Sequence, residues 1–209
     1  MKKELVLTAI GLFILCLSSV FAQDHDSTSS SSWDHNVEVD LNFMKENFIF
    51  LPIYSADKSH LHLEARYNYE DLNTFSAWMG YNFSGGKNTE YKITPMVGGI
   101  IGRTNGIAPG LEILIGLDRF EFSSESEYVF DLQEKENDFF YNWTDLTYSP
   151  LDWLWLGLST QLTLLYQDNF EYQPGFLVGG GFKRYEMSGY LFSPGFDELY
   201  FVLILSANF

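Results

Sequence analysis

From Asn36 onward, apolar and polar side chains alternate in segments that recur about every 10 to 16 residues, separated by Gly, Asn, Asp, Pro and Ser. A period of two is that of a β-strand with one wet and one greasy face, and no sustained 3.6-residue period competes with it. From His60 to Tyr69, one face carries His60, His62, Glu64, Arg66 and Asn68, and the other carries Leu61, Leu63, Ala65, Tyr67 and Tyr69. Val37, Val39, Leu41 and Phe43 stand in the same way against Glu38, Asp40 and Asn42. Two phase changes mark hairpins. Apolar residues fall on odd numbers up to Leu117 and on even numbers from Phe120, which predicts a tight turn at Asp118-Arg119, and a similar step predicts one at Lys183-Arg184.

The pattern predicts strands over 36–44, 47–54, 59–69, 74–83, 90–102, 108–117, 120–131, 139–148, 153–167, 172–182, 185–192 and 199–209. That makes about twelve, an even number, with short connections on both sides. Ile49 to Ile53 alternates poorly, so ten strands is the alternative. Pro52, Pro95 and Pro174 fall inside predicted strands, where a proline withholds a ladder hydrogen bond, and bulges or strand ends are expected there.

Alternation suits either a soluble sandwich or a membrane barrel, and the aromatics separate the two. Laid on the strands, Tyr81, Phe83, Tyr91, Phe120, Phe122, Tyr148, Phe182, Tyr185 and Phe209 gather near one end. Tyr67, Tyr69, Tyr128, Phe130, Tyr166 and Tyr172 gather near the other. Two girdles flanking an aliphatic band are the mark of a transmembrane barrel. In the last segment, Leu199, Phe201, Leu203, Leu205, Ala207 and the final Phe209 share one face, against Tyr200, Ser206 and Asn208. This resembles the C-terminal signature of bacterial outer-membrane β-barrels. The resemblance implies that Phe201, Leu203, Leu205 and Phe209 are read by the barrel assembly machinery of a Gram-negative cell, and that the chain crosses the outer membrane many times among its lipids. In size and strand count the chain is also similar to the small monomeric porins specific for oligogalacturonates, which implies a single-chain channel. Those porins line the lumen with basic residues. A soluble, lipocalin-like periplasmic binder is the competing architecture.

Residues 1–22 read as a secretory signal, with Lys2 and Lys3, an apolar run from Leu5 to Leu17, and Val20-Phe21-Ala22 before the expected cleavage site. Residues 23–35, rich in Ser and Asp, read as a flexible leader, and 36–209 as the barrel. Without Lys2, Lys3 and Glu4, the 12 basic and 28 acidic side chains fall to 10 and 27, a formal charge of −17 for the exported chain. So acidic a protein has no electrostatic basis for binding nucleic acid. Cys16, the single cysteine, lies inside the signal, so stability rests on strand pairing and burial rather than on disulfides.

The polar faces supply the chemistry. Glu38, Asp40, Glu64, Glu90, Glu112, Glu121, Asp145 and Glu186 are expected to line the lumen, with Arg66 and Lys92 as counter-charges and His60 and His62 among them. Glu125, Glu127 and Asp131 lie on the same face, with a place on the solvated rim as the alternative. Such a lumen is either wet, or loaded with cations, or partly protonated by mutual repulsion. It predicts a narrow porin-like channel for small cationic or neutral solutes, with no cofactor. Trp78, Trp143, Trp153 and Trp155 point to the polar side as constriction or filler. His60, His62 and Glu64 have a spacing that presents two imidazoles and a carboxylate to a metal, without an identified further ligand. Other readings are a barrel-embedded lipid hydrolase or acyltransferase and a plugged structural or surface-interaction barrel. No catalytic residue is assigned, because neither Ser76 nor Ser159 lies in a nucleophile elbow. Gly179-Gly180-Gly181 sits within a strand and reads as room for neighbouring side chains.

Overall fold

The computed structural model describes residues 32–166, 170–195 and 199–209. The expected signal and most of the leader lie outside them. The strands are β1 (Asp34–Phe43), β2 (Phe48–Lys58), β3 (Leu61–Tyr67), β4 (Thr74–Tyr81), β5 (Phe83–Gly85), β6 (Thr89–Gly102), β7 (Gly106–Leu117), β8 (Phe120–Asp131), β9 (Phe139–Leu151), β10 (Leu154–Leu165), β11 (Phe170–Phe182), β12 (Tyr185–Phe192) and β13 (Tyr200–Asn208). Each is antiparallel to its chain neighbours, except that β4 and β5 both pair with β6 and form one strand interrupted at Asn82. β1 pairs with β13 from Asn36↔Asn208 to Phe43↔Phe201, which closes a barrel of twelve strands. Phe209 completes the seam through Phe209 N–H to His35 O (2.8 Å) and His35 N–H to Phe209 O (3.1 Å).

One end of the barrel carries two-residue turns at Ser59-His60, Asp118-Arg119, Asp152-Trp153 and Lys183-Arg184. We call it the turn end. The longer connections lie at the opposite, loop end. Asp118 and Lys183 adopt left-handed backbone angles (φ 54° and 59°), which reverse the chain within two residues and produce the phase changes seen in the sequence.

The twelve-strand layout holds, including β2. Ile49, Leu51 and Ile53 are in register with Asn42, Asp40 and Glu38 and share their inward face, while Phe48, Phe50 and Tyr54 face out. β2 alternates poorly because both of its faces are apolar. The prolines correct an expectation: register runs through Pro52, Pro95 and Pro174 without a bulge. In each case the strand on the other side stops opposite the proline. β3 pairing begins only at Ile53, β12 pairing begins at Gly175, and β6 faces the break around Asn82 at Pro95. The missing N–H therefore has no waiting acceptor, a vacancy that a closed sheet otherwise lacks.

The outer wall is apolar. Met79, Val97, Leu111, Leu146, Leu158, Phe176 and Val178 are exposed around its waist, with Tyr81, Phe83, Tyr91, Phe120, Tyr148 and Phe182 at the turn end and Tyr67, Phe75, Phe130, Phe170 and Tyr172 at the loop end. Such a surface is stable only in hydrocarbon, so the barrel spans a membrane. A polar patch interrupts the belt on β8 and β9, where the Asn142 amide donates to Ser124 Oγ, Ser126 Oγ and Glu125 O (2.9 Å each) and Ser124 Oγ meets Thr144 Oγ1 at 2.9 Å. Partners within the patch satisfy groups that lipid would leave bare.

Candidate functional site: an acidic lumen with two vestibules

The inward faces of the twelve strands build two unlike walls. On β3 to β8, alternation turns His62, Glu64, Arg66, Ser76, Trp78, Glu112, Glu125 and Glu127 into the lumen. Arg66, 3% exposed, is the centre. Its Nε donates to Glu64, Nη1 donates to Glu127 Oε2 (3.2 Å), and Nη2 lies 3.7 Å from Glu112 Oε1. The guanidinium also lies over two rings, 4.3 Å from the centroid of Tyr69 and 4.9 Å from that of Trp78. Trp78 lies flat against Gly98, where a Cβ would collide with the indole, and packs on Met96, Ile100, Ala108 and Val129.

On β9 to β13 the wall is aromatic. Trp143, Trp155, Tyr190, Phe192 and Tyr200 pack with Leu177, Val202 and Ile204. Trp143 meets the rings of Tyr190 and Phe192 edge-on, with centroids at 5.1 and 5.4 Å. Within this wall Asp145 accepts hydrogen bonds from Trp143 Nε1 (2.9 Å), Ser159 Oγ and Tyr190 OH (2.9 Å). Trp155 donates to Ser188 Oγ (3.1 Å) and lies over Gly179, whose missing side chain leaves its space. The glycine run thus makes room for an indole, as its sequence suggested.

Two cavities enter between these walls. The one toward the turn end has a volume of about 410 Å³, and its lining contains the carboxylates of Glu38, Asp40, Glu121, Glu125, Asp145 and Glu186 and no basic side chain. The one toward the loop end has a volume of about 1110 Å³ and is lined by Asn42, Glu70, Tyr141, Gln161, Glu171 and Gln173, among others. Asp40, Tyr69 and Trp143 border both. They mark the waist of the lumen, where Tyr69 OH donates to Glu125 Oε2 at 3.0 Å. Asp40 Oδ1, Glu70 Oε2, Glu127 Oε1 and His62 Nε2 are buried without a hydrogen-bond partner among the described residues.

Most of the expected lumen residues converge. Glu38, Asp40, His62, Glu64, Arg66, Glu112 and Asp145 line the interior, and Lys92 lies 2.8 Å from Asp57. Glu121 and Glu186 stand exposed at the turn-end mouth, as does Glu90. Glu125 and Glu127 belong to the lumen, whereas Asp131 sits at the loop end, accepting from the N–H of Gln133 (2.7 Å) and Glu134 (2.8 Å). Three residues depart from the expected faces. His60 lies in a turn and stacks on the rim residue Tyr81, 4.9 Å between centroids, instead of lining the lumen. Trp153 also lies in a turn and is exposed. Tyr69, expected in the outer girdle, turns into the lumen because it follows Asn68 at φ 62°, beyond the end of β3. Ser76 and Ser159 pair with Glu70 and Asp145. Phe201 is exposed on the outer face, and Leu203, Leu205 and Phe209 share its parity along the closing seam.

Asp57, Glu70 and Tyr141 are interior residues that the sequence reading passed over. Asp57 carried a signal, since it continues the inward parity of Ile53 and Ser55.

No protein family model matches the sequence, and no curated protein matches it. Solved structures do. The KdgM porin superposes with a TM-score of 0.62 over 83% of this chain and 99% of that one, at 9% identity. The KdgM porin in complex with disordered oligogalacturonate gives 0.61 over the same shares, at 10% identity. The Acinetobacter baumannii outer membrane protein Omp33 gives 0.52 over 86% of this chain and 99% of that one, at 11% identity. At such identities the likeness is one of fold, and the fold of this chain is that of these outer-membrane β-barrel porins.

Proposed function

We propose that the chain is a monomeric, porin-like channel of the bacterial outer membrane, with its turn end in the periplasm, that passes small cationic or neutral solutes. The observation that carries this reading is the turn-end vestibule, where six carboxylates and no basic side chain surround a cavity that shares Asp40, Tyr69 and Trp143 with its loop-end counterpart. Carboxylates held in a low-dielectric wall raise the local concentration of cations and repel anions. The KdgM structure with oligogalacturonate concerns an acidic sugar, and the charge of this lumen argues against an acidic ligand here. Export through residues 1–22, contact with outer-membrane lipids, and insertion by the barrel assembly machinery through the strand ending at Phe209 complete the proposal.

The test is single-channel recording of the folded mature chain in a planar bilayer, with the reversal potential read across a KCl gradient. Cation-selective steps are expected, and their selectivity falls when Glu38, Glu121 and Glu186 become Gln. Anion preference, or silence from a barrel shown to be folded, would overturn the channel. Silence would favour a closed structural or surface-interaction barrel, which the stacking of Tyr69 over Arg66 at the waist also suits.

A further inference from the structure

We propose that His62, Glu64 and Glu112 form a binding site for a single divalent transition-metal ion in the lumen wall. His62 and Glu64 leave β3 on the same face, and Glu112 leaves β7. These strands are separated by β4 and β6. Gly80 stands opposite His62 on β4 and contributes no side chain between β3 and β7.

The geometry is that of ligands gathered around a common point. His62 Nε2 lies 3.4 Å from Glu64 Oε2 and 4.0 Å from Glu112 Oε1, and one ligand atom from each of the three residues lies within 4.8 Å of the others. Around a tetrahedral ion with bonds of about 2.0 to 2.1 Å, neighbouring ligand atoms sit about 3.3 Å apart. The first separation already matches, and a small rotation of Glu112 brings in the other.

His62 is 3% exposed, and among the described residues its Nε2 makes no hydrogen bond, only the 3.4 Å ionic contact with Glu64 Oε2. Its Nδ1 is taken by Asp57 Oδ1 at 2.8 Å. Asp57 is in turn held by Asn82 Nδ2 and Lys92 Nζ, both at 2.8 Å. A carboxylate on Nδ1 holds a proton there, and an ion that displaces the proton from Nε2 meets a lone pair directed at the two glutamates. It is the outer-shell arrangement that orients metal-bound histidines. Glu64 is divided in the same sense: one oxygen receives Arg66 Nε, and the other faces His62.

The donor set defines the class of ion. One imidazole nitrogen with two carboxylates suits Zn²⁺ and related transition ions, whereas Ca²⁺ and Mg²⁺ prefer oxygen alone. Glu112, Asp57 and Lys92 side chains, 20 to 33% exposed, give the site access from the lumen water. Binding of an ion here does not require an open channel.

The test is titration of ZnCl₂ into the folded, chelator-washed mature chain in detergent, followed by calorimetry. One tight site per barrel is expected. Asp57→Asn is expected to weaken it roughly 10- to 100-fold, and His62→Gln at least as much. His60→Gln, altering a rim histidine, leaves it unchanged. Far-UV circular dichroism confirms that each variant is folded, and Glu112→Gln, at a partly exposed position, gives a second ligand deletion that spares the Asp57–His62 pair. X-ray absorption of the loaded protein should show one nitrogen and oxygen ligands at the zinc. A folded wild-type barrel with no stoichiometric site, or one whose binding survives both His62→Gln and Glu112→Gln, would overturn the proposal and leave His62 as an ionic bridge between Asp57 and Glu64.

Discussion

The two walls of the lumen hold their carboxylates by different means. Around Arg66, Glu64 and Glu127 face a full positive charge that lies over two rings, and the cluster joins strands from β3 to β8. Around Asp145, the same kind of anion is held by an indole, a hydroxyl and a phenol, all neutral, within a packed aromatic face. An ion pair out of water stays stable only while both partners are present. A carboxylate met by neutral donors depends on several modest bonds and loses less when one of them goes. The first wall is therefore sensitive to single deletions, and the second to shape.

Removing the central charge breaks the comparison most sharply. Arg66→Met leaves Glu64 and Glu127 buried without their cation and is expected to lower unfolding free energy in urea by about 3 to 5 kcal/mol. Adding Glu127→Gln should return part of that loss, because the charge left behind is the main cost. No recovery in the double variant would mean that packing of the guanidinium on Tyr69 and Trp78 dominates.

On the other wall, Asp145→Asn keeps the volume and exchanges one acceptor oxygen for a donor that faces donors. Its expected cost is about 1 to 3 kcal/mol in the same measurement, below that of Arg66→Met. Gly179→Ala drives a methyl group into Trp155 and should cost about 1 to 3 kcal/mol, with a change in near-ultraviolet circular dichroism as the indole moves. A Trp155 signal unchanged by this substitution would show that the wall yields elsewhere. The smallest effect is expected at the mouth. Glu186→Gln alters an exposed carboxylate, so stability should stay within about 0.5 kcal/mol, while the reversal potential moves slightly toward zero.

The three side chains that left their expected faces share one physical origin. Inside a strand, successive side chains alternate strictly, so Glu38, Glu64, Glu112 and Asp145 could be assigned to the lumen from their neighbours alone. His60, Tyr69 and Trp153 lie one or two residues beyond strand ends, where Ser59 and Asn68 take left-handed backbone angles and parity no longer holds. Asp57 was within a strand, but the apolar inward face of β2 concealed its phase.

What the chain order determined by itself was the barrel: a period of two, an even strand count, aromatic ends, and a last strand whose outward face runs to Phe209. Those properties are local, because each follows from a residue and its neighbours two positions away. Only the tertiary structure decided which carboxylates are paired and which face water. It alone brought Glu112 of β7 to His62 of β3, set Tyr69 across Arg66, and gave Asp145 its three neutral donors. Such contacts depend on closure of the sheet and on the small residues between distant strands, and no spacing along the chain encodes the distance across a lumen.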